Sequence, residues 1–263
     1  MLSGQEFIRY SRQLMLEEIG EAGQERLKAA SVLVVGLGGL GGPAALYLAG
    51  AGVGHLILAD HDTVELSNLQ RQIIYVNDDI GRNKVEQSRQ QLERLNAHIR
   101  ITAVPVFMED DTLAPLVSDC DLVLDCTDNP TVRQAINRVC VAQRVPLISA
   151  AALRWEGSLS LFDARRDDSP CYACLVHPDS APPVATCANS GVAGPLLGIM
   201  GSMQALAALQ TLTQRSTMDY GSVRHFDGRR LQWLTSRIRR KPDCPVCGPK
   251  RSPHIATEEH GHE

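Results

Sequence analysis

The sequence has no excess of basic charge. Its 263 residues carry 26 Lys and Arg against 30 Asp and Glu, a net charge of -4. That balance removes the broad positive field by which proteins hold nucleic acid or anionic membranes, and neither is expected as a partner. The opening residues, MLSGQEFIRYSRQL, are charged within the first ten and lack the apolar core a signal peptide needs. Long apolar runs are scarce too. The nearest, Val192 to Leu212, is interrupted by Ser202, Gln204 and Gln210, whereas a bilayer span needs roughly 20 apolar residues. A cytoplasmic location is the default expectation. The chain shows no internal repeat and no Ser/His/Asp constellation.

What is present begins with composition. At 44% hydrophobic, the chain can bury a substantial core, and a single compact unit is expected. Apolar residues at mixed three- and four-residue spacing over residues 4–30 indicate an N-terminal helical arm. Strand, turn and helix then alternate over 31–150: SVLVVG, a helix through Ala44 to Ala51, HLILAD, a helix from Lys84 to Asn96, IRITAVPV, CDLVLDCTD, a helix from Thr131 to Gln143, and VPLISAA. This alternation predicts an α/β fold with a Rossmann-like parallel sheet. Beyond about Ser149, the segments GSLSLFD, SVRHFDG and LQWLTSRI read as antiparallel strands added to the same sheet, with the Val192 to Leu212 helix packed on it. Residues 176–190 read as a mobile loop. The stretch 251–263, polar and containing three histidines, reads as a disordered tail.

Gly36, Gly38 and Gly41 complete a GxGxxG turn after the first strand, and Asp60 closes the second where a ribose acceptor is expected. Alone, that pattern suits a dinucleotide coenzyme. Asn68, Arg71, Gln72 and Lys84 follow in one short run. A dinucleotide carries its diphosphate on the glycine turn and helix N-terminus and needs no such cations. A triphosphate losing pyrophosphate does need them. Asp128 stands just before a helix, as an N-cap or as a magnesium ligand, and Asp125 can share either role.

Two CxxC pairs, Cys171 with Cys174 and Cys244 with Cys247, supply enough thiolates to close a tetrahedral zinc site with no open position. Such a site would staple the C-terminal region to the middle of the chain; four unrelated buried thiols are the alternative. Cys120, Cys126 and Cys140 lie in or beside apolar segments and read as ordinary buried thiols. Cys187 lies in the soft loop.

RYSRQ at 9–13, GLGGLG at 36–41, Asp60 with SNLQRQ, Lys84, LDCTDN, the paired CxxC motifs and GVAGPLLGIMGSMQALAAL together resemble the ThiF/MoeB/HesA adenylyltransferases, bacterial relatives of ubiquitin-activating enzymes. The resemblance runs from about residue 5 to 249 and is nearer the ThiF type than the MoeB type. It implies one adenylation domain over 1–250, with a nucleotide-binding half at 31–150 and a carrier-binding and zinc half at 151–250. It also implies Gly39 at the phosphates, Asp60 at the ribose, and Asn68, Arg71, Gln72 and Lys84 in the triphosphate motif. Asp128 would be magnesium-linked, and Arg12 would reach into the partner's site of a homodimer. Read without the resemblance, Arg12 is a solvated helix residue.

The implied reaction is ATP-dependent adenylation of the C-terminal Gly-Gly carboxylate of a ubiquitin-like sulfur carrier, ThiS-like or alternatively MoaD-like. Cys187 reads either as a sulfur-transfer residue served by a persulfide-donating sulfurtransferase or cysteine desulfurase, or as incidental. An NAD-dependent oxidoreductase and a non-catalytic scaffold for ubiquitin-like tails are the competing readings. The first leaves the Asn68 to Lys84 cluster unused, and the second leaves all the phosphate-facing residues without a role.

Overall fold

A computed structural model describes residues 1–180, 190–214 and 219–248. Its centre is an eight-stranded sheet in the order β3-β2-β1-β4-β5-β6-β7-β8. The strands are β1 (Ser31–Val35), β2 (His55–Ala59), β3 (Arg100–Val104), β4 (Leu122–Asp125), β5 (Leu147–Leu153), β6 (Glu156–Phe162), β7 (Ser222–Asp227) and β8 (Gln232–Arg237). Neighbours from β3 through β5 are parallel, with Val32 opposite both Leu56 and Leu122. From β5 onward they are antiparallel. The change of direction falls where the sequence places it, because a two-residue connection between β5 and β6 can only make a hairpin.

The arm comprises α1 (Gly4–Arg9), α2 (Ser11–Leu14) and α3 (Gly20–Ala29). Ser3 and Glu6 form a reciprocal capping box on α1. Glu6 also accepts from Lys28 of α3 at 2.8 Å, a bond that holds its carboxyl down to about 2. Crossover helices α4 (Gly41–Ala51) and α5 (Lys84–Leu95) cover one sheet face, while α6 (Asp110–Ser118) and α7 (Pro130–Gln143) cover the other. The short α8 (Tyr172–Leu175) precedes α9 (Gly194–Leu212).

The sequence reading has no counterpart to α6. Pro115 sits inside it, and only Leu113 and Val117 are buried, four residues apart, so the apolar stripe is one turn long. The reading of Asp128 as N-cap is also corrected. Asn129 caps α7, its Oδ1 accepting from the Thr131 and Val132 amides at 2.9 and 3.3 Å. A cap must fold back on N2 and N3, and Asn129 is the residue placed to do so.

By length and composition α9 is apolar enough to cross a membrane, the only such helix among the described residues. Here it packs on α4, β5 and β6 in the core. Gln204, fully buried in its middle, donates to the carbonyls of Asp125 and Ile148 at 2.9 and 3.3 Å. One of the three polar residues that interrupt the apolar run is therefore what joins the helix to the sheet.

Candidate functional site

The C-terminal ends of β1, β2 and β4 open on a cavity of about 640 Å³. Gly36 leaves β1 at φ +90°, and a Cβ there would lie 2.9 Å from the Cys126 carbonyl oxygen. A Cβ on Gly41 would collide with the Gly36 carbonyl oxygen. Only glycine allows this turn to close and the helix to start against the strand. Gly36, Gly38 and Gly39 line the cavity, whereas Gly41 serves the packing behind it.

Asp60 braces the turn, its carboxylate accepting from the Leu37 and Asp62 amides at 2.7 and 2.9 Å. Lys84, the first residue of α5, is 5% exposed and donates to Asp62 at 2.8 Å. Burial of that ammonium makes an anionic partner obligatory, and Asp62 supplies it. Arg71 donates to the Ser67 carbonyl at 2.8 Å, and Asn68 ties down the same turn by accepting from the Glu65 amide at 3.2 Å. Gln72 is 5% exposed, and its Oε1 is buried with no partner among the described residues. Asp128 is exposed on the rim, and among the described residues nothing engages its carboxylate. Asp60, Asn68, Arg71, Gln72, Lys84 and Asp128 all line the one cavity.

Asp125 has a different place. It is fully buried, accepting from Ser149 at 2.7 Å, Thr127 Oγ1 at 3.0 Å and the Thr127 amide at 3.1 Å, with Arg133 Nε at 3.2 Å. With those contacts it is an anchor under the β4–α7 loop, and Asp128 is the carboxylate left facing the cavity. Arg133 was not singled out in the sequence, because one arginine on an amphipathic helix carries no signal. It too lines the cavity, and is 7% exposed.

Arg12 lies on exposed α2, outside the lining of this cavity; its Nη1 lies 3.9 Å from Met15 Sδ. Cys187 lies outside the described residues. Cys120, Cys126 and Cys140 are buried, and burial raises all three thiols, Cys120 to about 12.

The four remaining cysteines converge, with all four sulfurs within 4.8 Å of one another. Cys171 and Cys244 are 3.7 Å apart, and Cys174 and Cys247 are 3.5 Å apart. Four thiolates bound at about 2.3 Å span tetrahedral edges of about 3.8 Å, so the cluster fits zinc. A hydrogen bond from the Cys171 sulfur holds Cys174 down, to about 4, while Cys171 itself is pushed up.

The ThiF family model matches residues 10–246. The sulfur carrier protein ThiS adenylyltransferase of Escherichia coli K12 is 47% identical over 247 residues, covering 94% of this chain and 97% of that protein. The molybdopterin-synthase adenylyltransferase of the same organism is 46% identical over 249 residues, covering 94% and 98%. Among solved structures, E. coli MccB superposes with TM-score 0.81 at 24% identity over 97% of this chain and 74% of that one, which is a likeness of fold. MccB with ATP gives 0.78 at 25% identity, over 91% and 74%. By the extent of the family match and the identity to full-length relatives, the chain belongs to the ThiF family.

Proposed function

We propose that this chain adenylates the C-terminal carboxylate of a ubiquitin-like sulfur-carrier protein with ATP, releasing pyrophosphate, and that the carrier is ThiS-like. The observation that carries the reading is the cavity in which a glycine turn, Lys84 and Arg71 face an unengaged carboxylate, Asp128. The turn brings backbone amides up to phosphate. Lys84 and Arg71 offset the charge that grows on the leaving pyrophosphate. Asp60 takes the ribose, with Asn68 and Gln72 beside the phosphates; phosphate oxygens carry no donor, so the orphaned Gln72 Oε1 is left for a ribose hydroxyl. Magnesium held by Asp128 would neutralise part of the triphosphate charge.

The carrier's carboxylate is already ionised at neutral pH, so the chain needs no general base; it needs to hold two anions in line. The carrier body provides that positioning. In the homodimer we infer, Arg12 of each protomer adds a cation to the other's site. Zinc in the four-cysteine cluster serves the fold. Residues 1–250 act as one adenylation unit, and Cys187, charged with a persulfide by a donor protein, attacks the acyl-adenylate through its outer sulfur and displaces AMP, leaving the carrier joined to it as an acyl disulfide. Free thiolates of this kind suit a reducing cytoplasm.

The near-equal identity to the ThiS and molybdopterin-synthase enzymes, 47% and 46%, makes a MoaD-like carrier the second reading. Labelled pyrophosphate exchange into ATP tests both. Exchange is expected only with a Gly-Gly-ending carrier, and faster with a ThiS-like one; preference for the MoaD-like carrier selects the second reading. No exchange with either, together with saturable NADH binding, would sink the proposal.

A further inference from the structure

Helix α7 touches both sites. Residues 133, 137 and 141 recur at four-residue spacing and lie along one stripe of it. Arg133 donates to the carbonyl of Thr127, the residue before Asp128, and to Ala150 O at 2.8 Å. Its guanidinium carbon lies 5.6 Å from the centre of the Tyr172 ring. One turn on, Asn137 is fully buried and divides its amide. Nδ2 donates to Cys171 Sγ at 3.6 Å, and Oδ1 accepts from the Tyr172 amide at 2.8 Å. Val141, a turn further, packs on the cysteine cluster. Beside this stripe, Gln134 donates to the Val176 carbonyl at 2.8 Å.

The segment 171–176 is thereby shared. Cys171 and Cys174 belong to the thiolate cluster, while Tyr172 and Val176 line the nucleotide cavity. We propose that Asn137 is the outer-sphere donor that orients Cys171, and that Tyr172 and Arg133 carry its setting to the loop bearing Asp128, linking metal occupancy to nucleotide affinity. The proposal rests on the ATP reading above.

The physical chain is short. Outer-sphere hydrogen bonds fix the direction of a metal ligand. With four thiolates held by one ion, the backbone at Cys171 and Tyr172 has one arrangement, and the Tyr172 ring stays against Arg133. If the ion leaves, the turn is free to shift, and Arg133, still tied to Asp125, Ser149 and Ala150, loses the ring packed on its face toward the cavity. Arg133 and Tyr172 are positioning residues here, and linkage between two binding equilibria runs equally in both directions.

That reciprocity gives a readout independent of catalysis. Zinc transfer from the zinc-loaded full-length chain to a chromophoric chelator is followed with and without a non-hydrolysable ATP analogue and magnesium, analogue binding being measured separately by calorimetry. The analogue is expected to slow zinc release about 5-fold or more. Asn137→Ala is expected to release zinc about 10-fold faster and to lose the analogue's effect. Should that variant not fold, Tyr172→Phe is expected to keep the effect and Tyr172→Leu to lose it while still binding zinc. Binding of the analogue with unchanged zinc release overturns the linkage alone. Failure of the analogue to bind overturns the ATP reading and the linkage with it.

Discussion

The two ends of α7 differ in what they leave unsatisfied. At its N-terminal end the cavity holds an unengaged Asp128 and an unpartnered Gln72 Oε1, beside a lysine and an arginine that each make one hydrogen bond among the described residues and keep further donors. Beside its later turns the four cysteine sulfurs converge at distances that one ion would complete, with Asn137 and the Lys241 amide already donating to two of them. A site through which substrate passes must keep polar groups waiting, at a cost in stability. A staple has no reason to keep any.

The comparison breaks first at the charged groups of the cavity. Lys84→Ala and Asp128→Ala are each expected to lower pyrophosphate exchange about 100-fold or more, the exposed Asp128 with little change in melting temperature and the buried Lys84 with some loss as its ion pair to Asp62 goes. A variant that lost stability and kept activity would reverse the assignment. Cys174→Ser should act mainly on stability, removing bound zinc and weakening nucleotide binding only by the modest factor of the linkage. Cross-linking so long a loop is worth about 4–4.5 kcal/mol of chain entropy, so melting should fall by roughly 10 °C in a scanning experiment.

A smaller effect sharpens the contrast inside the cavity. Gln72→Met keeps the volume and deletes the orphaned acceptor, so it should weaken ATP binding about 5–10-fold while leaving the free protein as stable or more so. Calorimetry of both equilibria checks it. The smallest effect lies in the arm. Glu6 is held down to about 2 by Lys28, against an ordinary value near 4.3. Its contribution is present above the ordinary value and disappears as pH falls through the lower one. Glu6→Gln should therefore flatten the acid unfolding curve between about pH 4.5 and 2, with urea midpoints unchanged at lower pH.

Sequence alone made the local signals readable. The glycine turn, the strand ends at Asp60 and Asp125, and the paired cysteines each declare themselves within a few residues. The direction change at β5–β6 was equally legible, because spacing dictates it. Arg133 was not, since its partners sit at positions 125, 127, 149, 150 and 172 and meet only after the sheet forms. The exchange of roles between Asp128 and Asn129 was hidden for another reason. Both side chains can cap a helix, and only the backbone at Asn129, φ -96° and ψ 113°, decides which does. Asp62 passed unnoticed because its partner, Lys84, lies 22 residues away.

Gln204 carries one more consequence. Helix α9 offers nearly the same oily surface all round, and greasy contact alone fixes neither its rotation nor its sliding position. One amide, reaching two carbonyls on adjacent strands, acts as a key in a keyway: a turn of 100° would strand it in hydrocarbon. The wall of the cavity to which this helix contributes Leu197 is thus indexed by a residue outside the lining.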